Sequence, residues 1–460
     1  MTKNALLIGC ASGFSGDRAD AALPLVDTLI ERGGGFLIFE TLAERTLALA
    51  QLARLKDPEA GYDPYLEDTL RPILRRCLEN NIRIVSNFGA ANPEGAARCI
   101  LRMAEELGLK APRIAIVFGD AVTSPEGLET LCRKLDLPDD TSLSGIISAS
   151  VYLGAEDIAH ALLGGADIVI TGRTADPSLT VGPAIATFGW KTDDWDKLGK
   201  ATLAGHLLEC GAQVTGGYYA VPGFKDVPGM HEIGFPFVEI QEDGNFVIRK
   251  PAVSGGCLNR RTVTEQLLYE VHDPARYLTP DVTADFSNVT LQELDANSVA
   301  VQGATGTARP DELKANVFCS GGWLGEAEIS YAGLQAEARA RLAADILRKR
   351  IAPELDIRAD LIGAISVWND DAGRLLDMCP PGQHRDIRLR IAAQHDDPAL
   401  IRHMLREMTS LYTCGPAGGG GIRTHLQPRL TQYTCTLPRH LVRQGWYFYS
   451  QSLHAGSPQV

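Results

Sequence analysis

From Ala5 to about Cys210, short apolar runs alternate with longer stretches whose apolar positions recur every three or four residues. The runs at 5–9, 36–40, 82–87, 113–119, 146–153 and 166–172 are too short for helices and predict buried strands. Between them, Leu42, Leu49, Leu52 and Leu55 show helical spacing, and residues 21–31 read as a helix. Gly33-Gly34-Gly35 and Gly164-Gly165 stand where helix C-caps are needed. This alternation predicts an α/β fold, a mainly parallel sheet with flanking helices. A doubly wound sheet is the first expectation and a (β/α) barrel the alternative.

After about Tyr218 the pattern changes. Residues 235–240 and 246–250 read as a hairpin inserted near 235–250, with a glycine-containing loop between them. A helix is predicted over 262–272, with Thr262-x-x-Glu265 as its capping box. From Val289 onward strands come in groups, at 289–291, 298–302, 313–319, 361–368, 387–393 and 432–436. Helices at 333–351 and 398–408 interrupt them. We therefore expect an α/β domain over 1–285 and a smaller C-terminal α+β domain over 286–460.

Size supports more than one domain, since 460 residues exceed what a single core usually serves. The 44 Lys+Arg against 57 Asp+Glu leave a net charge of −13, which argues against nucleic-acid partners and against docking on anionic membranes. Any anionic small-molecule substrate would have to meet locally placed arginines. The ten cysteines form no CxxC pair, which fits reduced thiols and a cytoplasmic location. A strand predicted directly after Met1-Thr2-Lys3-Asn4 leaves no room for a targeting segment.

The strand ends carry the candidate chemistry. After the first strand, Gly13 and Gly16 free the backbone while Asp17, Arg18 and Asp20 add ionisable groups, ahead of a helix N-terminus. Glu40, Asn87, Asp120, Tyr152 and Arg173 stand at later strand ends, where parallel sheets form their sites. Asn92 reads as an N-cap ahead of Pro93, leaving Asn87 and Gly89 to face a ligand. Asp176 likewise reads as an N-cap ahead of Pro177. Arg173 reads as the group that holds a carboxylate or phosphate. Gly255 and Gly256 are expected to bring amides to a substrate; Tyr269, Glu270, Asp273 and Arg276 follow as candidates for proton transfer or helix-end packing. Gly419, Gly420 and Arg423, within the Cys414–Arg423 run, suit a mobile flap or a backbone anion nest. His206 and Cys210 share a helix face but lack the further partners that a metal site needs.

A dinucleotide fold is a further alternative, because Gly9, Gly13 and Gly16 precede the acidic strand end Glu40. Their spacing departs from G-x-G-x-x-G, and none of the twelve tyrosines has a lysine four residues later.

Long blocks of the chain resemble the acyclic terpene utilisation (AtuA) family. They include Gly13-Phe14-Ser15-Gly16-Asp17-Arg18, Phe39-Glu40-Thr41-Leu42-Ala43-Glu44-Arg45-Thr46 and Ser86-Asn87-Phe88-Gly89-Ala90-Ala91-Asn92-Pro93. Gly172-Arg173-Thr174-Ala175-Asp176-Pro177-Ser178, Gly205-His206-Leu207-Leu208-Glu209-Cys210-Gly211-Ala212-Gln213 and Thr264-Glu265-Gln266-Leu267-Leu268-Tyr269-Glu270 belong with them. The resemblance implies breakdown of branched, acyclic terpene-type acids as coenzyme A thioesters, with a small companion protein. It implies no catalytic residues. From the chain itself we expect a lyase-type enzyme that stabilises an enolate, in a homo-oligomer. Asp17 or Asp120 would be the base, and Arg173 with the glycine-loop amides would hold the negative charge. The alternatives are a non-catalytic acyl-binding or scaffolding subunit and an NAD(P)-dependent oxidoreductase.

Overall fold

A computed structural model describes residues 5–135 and 146–450. The chain divides into two compact units, one made of the residues before Phe318 and after Gln432, the other of Phe318–Gln432. The boundary expected at 285/286 therefore moves. Strands Thr290–Asp295 and Ser298–Gln302 belong to the first unit, because Ser298–Gln302 pairs with the hairpin strand Phe246–Arg249.

Five parallel strands lie side by side in the first unit, in the order Leu6–Cys10, Gly35–Phe39, Ile82–Ser86, Ile168–Thr171 and Ile114–Phe118. Their near-continuous apolar sequences follow from burial on both faces. Leu37, Phe39, Ile84, Ile116 and Ile170 pack with Leu25, Val26 and Leu29 of helix Ala22–Glu31 and with Ile100 and Met103 of helix Pro93–Glu106. The alternate residues face helices Glu156–Leu163, Ser178–Phe188 and Trp195–Glu209. Helices thus cover both faces.

Antiparallel strands extend this core at both edges, giving an open ten-stranded mixed sheet. Among the described residues the sheet does not close, so the barrel alternative falls. The hairpin Phe237–Ile240/Phe246–Arg249 is no insertion; it continues the sheet through the pairing of Val238 with Ile8. Strand Gly445–Phe448 covers the opposite edge, pairing Tyr447 with Ile116. Strand Ile146–Val151 stays outside this sheet and pairs with the strand that starts at Glu312. Its first three residues are half-exposed, unlike those of a strand buried on both faces.

The second unit has the order Arg358–Ile362, Asp386–His395, Glu312–Ala332, Gly420–Pro438, with helices Ala336–Arg350 and Pro398–Cys414. This is a βαββαβ arrangement of the ferredoxin-like kind. Ile329, Tyr331, Leu389 and Ile391 form its core with Ala340, Leu347, Met404 and Met408. The Cys414–Arg423 run is not a long free flap. The helix runs to Cys414 and a strand starts at Gly420, so Gly420 and Arg423 lie in a sheet. Among the described residues, no helix is long and apolar enough to cross a membrane.

Two helix starts differ from expectation. The helix expected at Thr262 is Arg260–Leu268, capped by Asn259, whose Oδ1 accepts from Arg261 N at 2.9 Å and Thr262 N at 3.2 Å. Thr262 returns the bond, accepting from Asn259 N at 3.1 Å, while Glu265 pairs with Lys225 on the surface. Asp176 does not cap its helix, because Arg173 holds its carboxylate. Replacing Asn259 by Ala should cost about 1 kcal/mol in urea unfolding, whereas Glu265→Ala should change stability by less than about 0.5 kcal/mol.

Candidate functional site

The loops after the parallel strands meet at the carboxyl edge of the sheet. In the first, Gly13 presses against the end of helix Trp195–Glu209; a Cβ there would lie 2.4 Å from the Cys210 carbonyl carbon. Asp17 closes this loop on itself, accepting from Gly13 N at 3.0 Å and from Arg18 N at 2.9 Å. Arg18 turns to Asp20, with two contacts of 2.9 Å. The α-helix begins only at Ala22. The loop is therefore not the expected open cradle of glycine amides at a helix N-terminus. Its Gly13 amide serves Asp17.

The second and third loops are joined by Asn87, which is fully buried. Its Oδ1 accepts from Thr41 N at 2.8 Å, and its Nδ2 donates to Glu40 Oε1 at 2.8 Å. Glu40 also accepts from Leu42 N at 2.8 Å. Asn87 thus positions Glu40, with both ends of its amide engaged within the two loops. Gly89 is required by close packing, since a Cβ would lie 2.5 Å from Thr171 O. Asn92 caps helix Pro93–Glu106 through Gly95 N, as expected, and donates to Ala60 O at 2.9 Å.

Arg173 occupies the centre. Its side chain is 1% exposed. Nη1 donates to Leu42 O, Nε and Nη2 donate to Thr174 O at 3.1 and 2.6 Å, and Nη2 also meets Asp176. Among the described residues, four of the five guanidinium protons are so engaged, leaving one on Nη1. The cation lies 4.5 Å from the centre of the Tyr152 ring, and Lys314 Nζ lies 4.6 Å from the same ring. Asp120 acts from behind, accepting the Arg173 backbone N–H at 2.8 Å. A Cβ on Gly172 would strike its carboxylate. Burial pushes the Asp120 carboxyl up to about 6.

Two adjoining cavities open here, of about 470 and 890 Å³, and share Glu44, Asp176, Glu209 and Glu270 in their walls. Gly13, Asp17, Glu40 and Arg173 line the smaller one; Tyr152, His206 and Lys314 line the larger. The carboxyl groups differ sharply in state. Burial, with Asp176 close by, pushes Glu40 up to about 8, against the pull of Arg173. Burial likewise raises Asp176. Glu44 goes the other way, to about 2, because Tyr152 and Lys314 overcome its burial. Lys314 Nζ lies 3.0 Å from its Oε1, and Tyr152 donates to the same oxygen while accepting from Asn316 Nδ2 at 3.1 Å.

His206 and Glu209 pair at 3.0 Å across one helix turn. Burial pushes Glu209 up to about 7. His206 is raised despite its burial, since Glu209 favours the protonated ring. The other atom of each group, His206 Nε2 and Glu209 Oε2, is buried without a hydrogen-bond partner among the described residues. Glu270 adds a residue in the left-handed region, φ 58°.

Of the residues chosen from the sequence, Gly13, Asp17, Glu40, Arg173 and Asp176 therefore meet at one cavity. Gly16 and Arg18 line only a small crevice beside it. The Gly255 and Gly256 amides are committed to Glu232 O and Pro228 O, so that pair tightens a loop. Gly419, Gly420 and Arg423 belong to the second unit. Glu44, Glu209 and Lys314 join the cavity walls without having been expected there, and His206, weighed only beside Cys210 as a metal ligand, pairs with Glu209 instead. The His206-x-x-Glu209 spacing was a visible signal, because it puts both groups on one helix face. Among the described residues, no three His, Cys, Asp or Glu side chains converge closely enough to hold a metal ion.

Fold and site together define a mixed α/β protein, a large open sheet with flanking helices, with a carboxylate-rich cleft around a buried arginine. The chain belongs to the acyclic terpene utilisation family: the family model described as acyclic terpene utilisation family protein AtuA matches residues 6–448. No curated protein and no solved structure matches the chain.

The raised groups make stability depend on pH. Glu40 and Glu209 bind their protons more tightly folded than unfolded, so the stability they contribute is full below about pH 4.5 and lost as pH rises through about 7 and 8. Glu40→Gln should flatten the decline between pH 5 and 8 and leave the protein relatively more stable at pH 8, as read by urea midpoints across pH.

Proposed function

We propose that the chain is an enzyme of acyclic, branched-acid breakdown that moves a proton beside the carbonyl of an acyl thioester, adding or removing water. The observation that carries this reading is the pairing of Glu209 and Glu40 around Arg173 at one cavity, two carboxyl groups with raised proton affinities beside one fixed cation. Acid and base roles are separated in this way when environments push like groups apart. Glu209 takes the proton from the carbon next to the carbonyl. The remaining Arg173 Nη1 proton and the guanidinium charge steady the enolate oxygen. Glu40, protonated at neutral pH, gives its proton to the departing hydroxyl, which leaves as water; addition runs the same steps in reverse.

The base role expected of Asp17 or Asp120 thus passes to Glu209. Both Asp17 oxygens serve backbone amides, and Asp120 orients Arg173. The wall also revises the substrate's charge at the reacting end. With Glu40, Glu44, Asp176, Glu209 and Glu270 around the openings, an uncharged thioester carbonyl fits better than a free carboxylate. Coenzyme A is the natural carrier of such a thioester. The nicotinamide alternative loses support, because the Gly13 amide that would face a pyrophosphate serves Asp17.

Branched acyl thioesters incubated with the protein in deuterated water should gain deuterium and change mass by one water. Glu209→Gln should lower turnover by about 10²–10⁴-fold without loss of folding. Binding with no exchange would leave the non-catalytic acyl-binding subunit. The rate should rise with pH as Glu209 ionises near 7 and fall as Glu40 ionises near 8. Glu40→Gln should abolish the falling limb together with most of the dehydration rate.

A further inference from the structure

A third opening, of about 660 Å³, has a different character from the acidic pair. Leu49, Ala50 and Ala53 of helix Glu44–Lys56 form one wall, with Tyr62 and Tyr65 also lining it. Phe14 and Leu42 line both this opening and the smaller acidic cavity. Three large apolar side chains around it stay about half-exposed: Phe14 at 54%, Leu49 at 51% and Tyr65 at 50%. Leaving so much apolar surface together in water is unfavourable, and such surface commonly marks a binding groove. Arg45 stands at the opening, exposed and outside the ion pairs found among the described residues. The innermost polar groups are few, chiefly Thr41 and the buried Asp63, which accepts from Tyr65 N at 2.8 Å.

We propose that this opening is a binding subsite for an aliphatic chain of medium length that carries a carboxylate, the chain lying along Leu49 and Ala53 and the carboxylate meeting Arg45. The assignment rests on the reading that the acidic cavity takes the reacting thioester carbonyl; the rest of the substrate passes Phe14 and Leu42 into this opening and ends there in a second, distal carboxylate. Apolar burial supplies the attraction, at about 0.8 kcal/mol per methylene removed from water. Arg45 selects the head group by a charge-assisted hydrogen bond.

Calorimetric titration of the full chain with decanoate, hexanoate and decanol tests this without turnover. Decanoate should bind at least tenfold more tightly than hexanoate. Arg45→Gln should weaken decanoate about tenfold and leave decanol unchanged. Ala53→Trp, which fills the opening, should abolish binding of both, and Leu49→Gln should weaken both while its melting curve stays near that of the parent. Decanoate binding that survives Ala53→Trp, no binding at all, or equal effects of Arg45→Gln on acid and alcohol would each overturn the assignment. Glu209→Gln should bind decanoate unchanged, so a failure of the proposed chemistry would leave this result standing.

Discussion

Arg173 is taken out of water on every side, and a guanidinium in that position costs several kcal/mol unless its protons find partners. That is a large share of a net stability of about 5–15 kcal/mol. Three separate loops are bent to supply those partners. Leu42 O comes from the loop after the second strand, Thr174 O and Asp176 from the loop after the fourth strand in spatial order, and the Tyr152 ring from the loop that follows strand Ile146–Val151. Asp120 fixes the backbone from which the side chain projects. The carboxyl edge of the sheet is organised around satisfying one cation.

The same constraint explains the surrounding acids. A buried cation lowers the cost of bringing carboxyl groups near it, and each then titrates according to how much water and how many donors it keeps. Glu44, with Tyr152 and Lys314 on one oxygen, stays ionised. Glu40 and Glu209 keep fewer charged partners and give up their protons only near 8 and near 7. Around one arginine the fold therefore maintains both an ionised carboxylate and protonatable ones. General acid–base chemistry requires such a division.

Glycine serves this edge differently from what its abundance in the loops first indicates. Gly13 and Gly89 are needed because backbone from another segment passes where a side chain would be. Gly255 and Gly256 bind their own loop down. In each case the small residue permits close packing of loops, and the cation-binding and proton-holding groups come from side chains instead.

The sequence by itself determined the parallel core, the helices between its strands, and the fact that polar residues at strand ends would form the cleft. Those features follow from local periodicity and from the rule that parallel strands deliver their loops to one edge. Glu40, Arg173 and Asp176 were legible for that reason. The antiparallel extensions were not, because whether a hairpin joins a sheet depends on which edge it meets, as Val238 meets Ile8. The roles of individual acids were also decided only in three dimensions. A carboxyl group's proton affinity is set by neighbours distant in the chain: Asn87 for Glu40, Lys314 for Glu44, and the shared burial of His206 with Glu209.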